Sequence, residues 1–174
     1  MAETPRLDEY LPHIGRLAIE AARLEETVLL YVIAFSDEPQ KTTRFKYMTK
    51  GLDATLTRLS ELSTAYVSPF YRQQVLDLIE VARQAKNKRN ESVHGVWAEM
   101  VEVDTRKFMG VRRSRYDKDK ANKTVSWDLT TPSIEELNGI GDELRDVATK
   151  LYALLNKVWD IDEDVMKFRM ARAV

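Results

Sequence analysis

Over four long segments of this chain, apolar residues return at every third or fourth position, and that spacing limits the fold more than any other feature. From Pro12 to Phe35 the stripe runs through Ile14, Leu17, Ala18, Ala21, Leu24, Val28, Tyr31, Val32 and Phe35, the repeat of one helical face. Pro39 in "SDEPQKTT" predicts its end. A second stripe, Phe45, Met48, Leu52, Leu56, Leu59 and Leu62, predicts one further helix that fades in "STAYVSP". The third runs from about Phe70 through Tyr71, Val75, Leu78, Ile79, Ala82 and Ala85, with Gly95 as its natural stop. "TPSIEEL" then offers Ser133 as N-cap and Glu136 three residues on, a capping box. It opens a fourth stripe from Leu137 through Ile140, Leu144, Val147, Leu151, Leu154, Leu155 and Val158 to about Trp159. "DIDEDVMKFRMARAV" has room for a short last helix.

Between the third and fourth stripes the period changes. "VWAEMVEV", "KFMGVRRSRY" and "KTVSWDL" are rich in β-branched and aromatic residues and predict two or three short strands or an extended arm. The expected fold is therefore all-α, a bundle of four or five helices, with a small β-rich insertion over about 96–131. At 174 residues a single domain covers the whole chain and can bury a sizeable core. A net charge of -1 excludes a globally basic nucleic-acid coat, so a polyanion site has to come from local clustering. The absence of cysteine excludes disulfides, thiolate metal sites and a cysteine nucleophile. Two histidines are too few for a closed zinc site, and no metal or other cofactor is expected. No run of about 18 apolar residues and no signal-peptide core occurs. A cytoplasmic protein with no membrane contact is the expectation.

The third stripe has an unusual end, "KNKRNESVHG". Steps of three and four from Val75 pass through Leu78, Ala82 and Ala85 and land on Arg89. A cation on a buried stripe has to be paired, or has to line a cleft or subunit contact where an anion arrives. Asn90 and His94 are four apart and share a side of the helix, whereas Arg89 and His94 are separated by about 140° of rotation and roughly 7.5 Å of rise. A long arginine can span that gap. Arginine presents a fork of donors to a phosphodiester and keeps its charge, so it can stabilise an in-line transition state. Histidine can take a proton from a hydroxyl or give one to a leaving oxygen, and asparagine can orient either. With an RNA 2′-hydroxyl as nucleophile, cleavage needs no metal. The carboxyl end of a helix repels phosphate and favours a cation, so Arg89 is needed for electrostatics as well as position.

"RNESVHG" resembles the Arg-Asn-x-x-x-His motif of the HEPN superfamily, helical-bundle proteins many of which are metal-independent endoribonucleases of toxin, phage-defence and RNA-processing systems. Arg89, Asn90 and His94 match it residue by residue, late in a long core helix. The resemblance covers the helical parts and leaves the insertion unexplained. It implies a helical bundle and RNA as substrate. It also implies a homodimer in which two motifs face each other across a composite cleft, and an antitoxin or other regulatory protein as partner. His94 is then general acid or base, Arg89 transition-state stabiliser and Asn90 orienter. The products are a 2′,3′-cyclic phosphate and a 5′-hydroxyl end. Some members keep the bundle and do not cleave, so a non-catalytic module that holds nucleotide, RNA or a partner protein stands as the alternative.

A purely structural reading of Arg89 is also open. Glu25 sits between Ala21 and Val28 on the first apolar face, and an Arg89–Glu25 ion pair accounts for both anomalies while still leaving room for Glu25 to orient the guanidinium. His13, beside Pro12, reads as structural or exposed. Lys86 and Lys88 flank the motif as RNA-steering cations. From Arg106 to Lys123 the chain holds eight basic residues, Arg112, Arg113 and Arg115 among them, against Asp117 and Asp119. That excess of six positive charges, interleaved with Phe108, Tyr116 and nearby Trp127, suits a backbone-tracking arm with stacked bases. It equally suits an exposed hairpin kept soluble by its charges, or a contact with an acidic partner. "DIDED" at 160–164 lacks the glycine turn and further ligands of a calcium loop and reads as a solvated turn. Gly139 and Gly141 follow no strand, so they read as helix-packing glycines and not as a phosphate loop.

Overall fold

The computed structural model describes residues 6–94, 96–101, 108–119, 124–128 and 131–172. Among these the chain forms six helices and three strands: α1 (Leu7–Phe35), α2 (Gln40–Met48), α3 (Leu52–Tyr66), α4 (Pro69–Val93), β1 (Val96–Val101), β2 (Phe108–Asp119), β3 (Thr124–Asp128), α5 (Ile134–Ile161) and α6 (Glu163–Arg172). The architecture is the all-α bundle with a small β insertion that the stripes imply. The strands form one antiparallel sheet in the order β1-β2-β3. Gly95, the expected stop of α4, lies outside the described residues.

Polar pairs fix the helix directions. His13 meets Asn138, Arg16 reaches Asp142 and Tyr31 donates to Asn156, so α1 and α5 run parallel. Lys88 reaches Glu143 on α5, while Arg83 and Lys86 reach Thr57 and Asp53 on α3, with Ser92 and Gly139 bordering one cavity. α4 therefore runs antiparallel to both neighbours. Between them the stripes meet: Leu17, Leu24, Val28, Val32 and Phe35 of α1, Leu56 and Leu59 of α3, Val75 and Ala82 of α4, and Leu137, Leu144, Leu151, Leu155 and Val158 of α5 are all fully buried. Gly141 is buried at the α1–α5 contact, where a Cβ would meet the Arg16 and Leu17 side chains at an ordinary contact distance of 3.5 Å, whereas Gly139 faces open space.

Several boundaries differ from the sequence reading. α1 starts at Leu7 and carries Pro12 inside it. At the sixth helical position the ring replaces only one backbone donor, in a stretch where Leu11 and Pro12 are exposed. The single helix expected from Phe45 to Leu62 is two helices. Gly51, at φ 76° and ψ 175°, takes a conformation essentially confined to glycine and resets the helical phase. As a result α2 buries Thr43 and Tyr47, while Phe45 and Met48, expected on the buried stripe, are exposed. α5 extends two residues past Trp159.

The solvated turn expected at "DIDED" is also corrected. Asp162 is buried, accepts from the backbone N–H and the hydroxyl of Ser68 (3.2 and 2.5 Å), and accepts the N–H groups of Asp164 and Val165 at the start of α6. It ties the α5–α6 junction to the residue that precedes α4.

The Ser133 capping box forms as read, with Glu136 N–H donating to Ser133 Oγ (3.1 Å) and Ser133 N–H to Glu136 Oε2 (2.6 Å). These bonds hold the Glu136 carboxyl below its ordinary range. Replacing Ser133 by alanine is expected to cost about 1 kcal/mol near neutral pH in urea unfolding. Because a depressed carboxyl stabilises the fold above its ordinary titration range and ceases to do so as pH falls through the lowered one, and because alanine keeps the Ser133 N–H that is the main cause of the lowering, it is the gap between wild type and Glu136→Gln that should narrow in acid. Tyr31 gives the opposite sign. Burial, with Tyr152 and Asp160 adding to it, pushes its phenol up to about 12. The stability this lends is complete below pH 10 and should disappear as pH rises through about 12, a loss that Tyr31→Phe should flatten.

Candidate functional site

α4 brings the motif to a cavity because the last buried positions before it, Ala82 and Ala85, are small. Val75, Ile79, Ala82 and Ala85 mark its inner face, and the following step on that face is Arg89. Ala21 and Ala22 of α1 lie opposite, leaving a cavity of about 240 Å³ bounded by Ala21, Ala22, Glu25, Gly51, Leu52, Lys86, Arg89 and Asn90. Three elements therefore meet at it: α1, the glycine-governed start of α3, and the last turns of α4.

Within it, Arg89 is held and incompletely satisfied. Its Nη1 donates to Asn90 Oδ1 at 3.0 Å, which fixes the plane of the guanidinium. Its Nε is buried and has no hydrogen-bond partner. A buried donor left unmade costs roughly 1–3 kcal/mol, more when charged. Lys86, on the same wall, is paired with Asp53 in the first turn of α3. The ion pair expected between Arg89 and Glu25 is not formed. Glu25 borders the same cavity, half-buried, and among the described residues no hydrogen bond or ion pair engages it. The more deeply buried carboxylate of α1 is Glu20, 6% exposed, which pairs with Arg23 at 3.0 Å. Its place between Leu17 and Leu24 was the sequence signal for this.

His94 stands apart from the cavity lining. It is the C-cap of α4, with extended backbone and its N–H donating to Asn90 O at 3.0 Å, and it is exposed. It lies one turn beyond Asn90, roughly 6 Å along the axis. The two steering lysines separate as well. Lys88 points to α5, where both Glu143 oxygens accept from it at 2.8 Å, and it borders a different cavity of about 350 Å³ with Ser92, Pro132, Glu136, Gly139, Ile140 and Glu143. Arg112, Arg113 and Arg115 fall on β2, in register with Ala98, Trp97 and Asp128. Arg106, Lys107, Lys120 and Lys123 of the basic segment lie outside the described residues. His13 is structural, its Nδ1 2.8 Å from Asn138 Oδ1.

The sheet is fastened to the same end of the bundle as His94. Trp97 of β1 packs on Tyr10, ring centroids 5.4 Å apart. Glu99 accepts the Leu7 N–H at 3.2 Å and lies 3.6 Å from the Arg6 guanidinium. Burial, and secondarily the charge of Glu9, raises the Tyr10 phenol above its ordinary value.

Among the described residues no group of three or more metal-ligating side chains occurs, and no helix is long and apolar enough to cross a membrane. Comparison with family models, with curated proteins and with solved structures gives no match for this chain.

The orphaned Nε makes Arg89 a poor contributor to stability. Arg89→Met, which keeps the apolar stem and removes the buried donor, should leave the unfolding free energy within about 0.5 kcal/mol of wild type or above it. A loss of about 3 kcal/mol or more would show instead that the guanidinium is compensated.

Proposed function

We propose that this chain is a metal-independent endoribonuclease of HEPN type, acting as a homodimer in the cytoplasm. Arg89 holds and neutralises the scissile phosphodiester, Asn90 sets the guanidinium plane, His94 exchanges a proton with a reacting oxygen, and Lys86 attracts the backbone. Arg112, Arg113 and Arg115 extend the basic track along the insertion. The observation that carries this reading is the Arg89 Nε, buried beside a cavity with no partner, next to an Nη1 already fixed by Asn90. Such a half-used fork fits an oxyanion far better than a neutral ligand. The choice of RNA and of cleavage comes from the resemblance of Arg89, Asn90 and His94 to the family motif. That resemblance also supplies the dimer and a toxin or defence role with an antitoxin as partner.

One observation favours the second reading, a non-catalytic module that holds a nucleotide, RNA or a partner protein. His94 does not border the cavity that Arg89 borders, so in a single chain the binding group and the titrating group are not enclosed together.

Incubating the protein with mixed-sequence RNA in EDTA separates the two. The cleavage reading expects 2′,3′-cyclic phosphate and 5′-hydroxyl ends. Rates should fall about 10²- to 10⁴-fold in His94→Ala and about 10²- to 10³-fold in Arg89→Ala, with both variants retaining the wild-type helical circular dichroism. Stoichiometric binding without cleavage, at protein well above RNA, establishes the module.

A further inference from the structure

Glu25 is the one group bordering the Arg89 cavity that the roles above leave unused. It enters from α1, across from Lys86, Arg89 and Asn90 on α4. A carboxylate with no hydrogen-bond or ion-pair partner among the described residues, facing an arginine without bonding to it, has its oxygens available to a ligand. Lys86 and Arg89 are the charged groups that share the cavity with it, and Asp53 holds Lys86 from the first turn of α3. An ionised carboxylate is an acceptor only. It complements what the cations supply, because phosphate oxygens need donors and a ribose hydroxyl needs an acceptor.

We propose that Glu25 is the general base of the reaction and reads the ribose 2′-hydroxyl, with His94 as the general acid. This rests on the RNA-cleavage reading above. The Glu25 carboxylate accepts the 2′-hydroxyl proton as the 2′-oxygen attacks phosphorus. Arg89 takes the charge that builds on the non-bridging oxygens. The bond from phosphorus to the 5′-oxygen breaks, and that oxygen leaves with a proton from the His94 imidazolium. The products are a 2′,3′-cyclic phosphate, a 5′-hydroxyl, a protonated Glu25 and a neutral His94, and exchange of one proton through water restores the starting states. The placement of His94 at the end of α4 suits the acid role, because its exposed ring can follow a departing strand. The arrangement draws the base from α1 and the acid from the end of α4. It also assigns specificity: DNA lacks the hydroxyl that Glu25 engages.

The test uses two dinucleotide substrates, one with an ordinary 5′-oxygen leaving group and one with sulfur in that bridging position, which departs without an acid. Wild type, Glu25→Gln, Glu25→Asp and His94→Ala are followed as kcat/KM against pH. Glu25→Gln should lose about 10²- to 10⁴-fold on both substrates together with the acidic limb of the profile, and Glu25→Asp should recover part of the rate. His94→Ala should lose comparably on the oxygen substrate and return to within about tenfold of wild type on the sulfur one. A non-cleavable 2′-deoxy analogue should bind wild type and Glu25→Gln within a few-fold of each other, which a merely structural Glu25 would not preserve. Wild-type cleavage that survives Glu25→Gln within tenfold, or keeps its acidic limb there, overturns the base assignment and leaves the nuclease standing. Absence of cleavage by wild type on either substrate overturns the nuclease reading and this one with it.

Discussion

The bundle depends on the burial of one helix. α1 is 29 residues long, roughly 43 Å, and along it Leu17, Leu24, Val28, Val32 and Phe35 are fully removed from water. α5 lies parallel to it, and α3 and α4 complete the enclosure. A crossing between two such long helices needs both a continuous apolar seam and a way to hold axial position. The seam supplies most of the energy, since each fully buried large aliphatic side chain is worth roughly 1.5–3 kcal/mol. The polar pairs along its edge, His13 with Asn138, Arg16 with Asp142 and Tyr31 with Asn156, set the register. The exposed Arg16–Asp142 pair contributes little energy, so its value lies in excluding a one-turn slip.

The cavity at Arg89 is the place where this arrangement departs from close packing. Its alanines leave room, its glycine turn brings backbone near, and its arginine keeps an unmade hydrogen bond. Each departure costs stability, and protein interiors seldom tolerate such costs without a compensating use. Lys86, Arg89 and Glu25 surround an opening of about 240 Å³, so the polar groups that remain at this point of the bundle are gathered in one place.

Much of the bundle could be read in advance because its signals are periodic and local. The stripes of α1, α4 and α5, the capping box at Ser133, the β-rich insertion and the landing of Arg89 on the inner face all follow from spacing alone. What escaped was conformational or three-dimensional. Nothing in the apolar pattern from Phe45 to Leu62 reveals that Gly51 adopts positive φ, and without that break the phase assigned to Phe45 and Met48 is wrong. Glu25 and Arg89 carry opposite charges on facing helices, yet whether they bond depends on side-chain reach across a cavity that sequence does not measure. The same holds for Lys86 and Lys88. They stand two positions apart, about 200° around the helix, and serve opposite walls. Asp162 looked solvated because acidic neighbours surround it, and only the return of α6 towards Ser68 buries it.

The Asp162 junction has a mechanical consequence. It binds the chain before α4 to the chain before α6 at the end of the bundle where α1 and α5 terminate, and there Phe35 and Trp159 also interlock edge to face, centroids 5.3 Å apart. No comparable buried carboxylate closes the other end among the described residues, where α4 finishes at an exposed His94 and the sheet rests on Tyr10 through Trp97. The two ends of the bundle are therefore fastened by different kinds of contact. The far end of α4 is held instead by Lys86 to Asp53 of α3, by Lys88 to Glu143 of α5 and by Val93 against the core, and two of these three ties are ion pairs that salt screens.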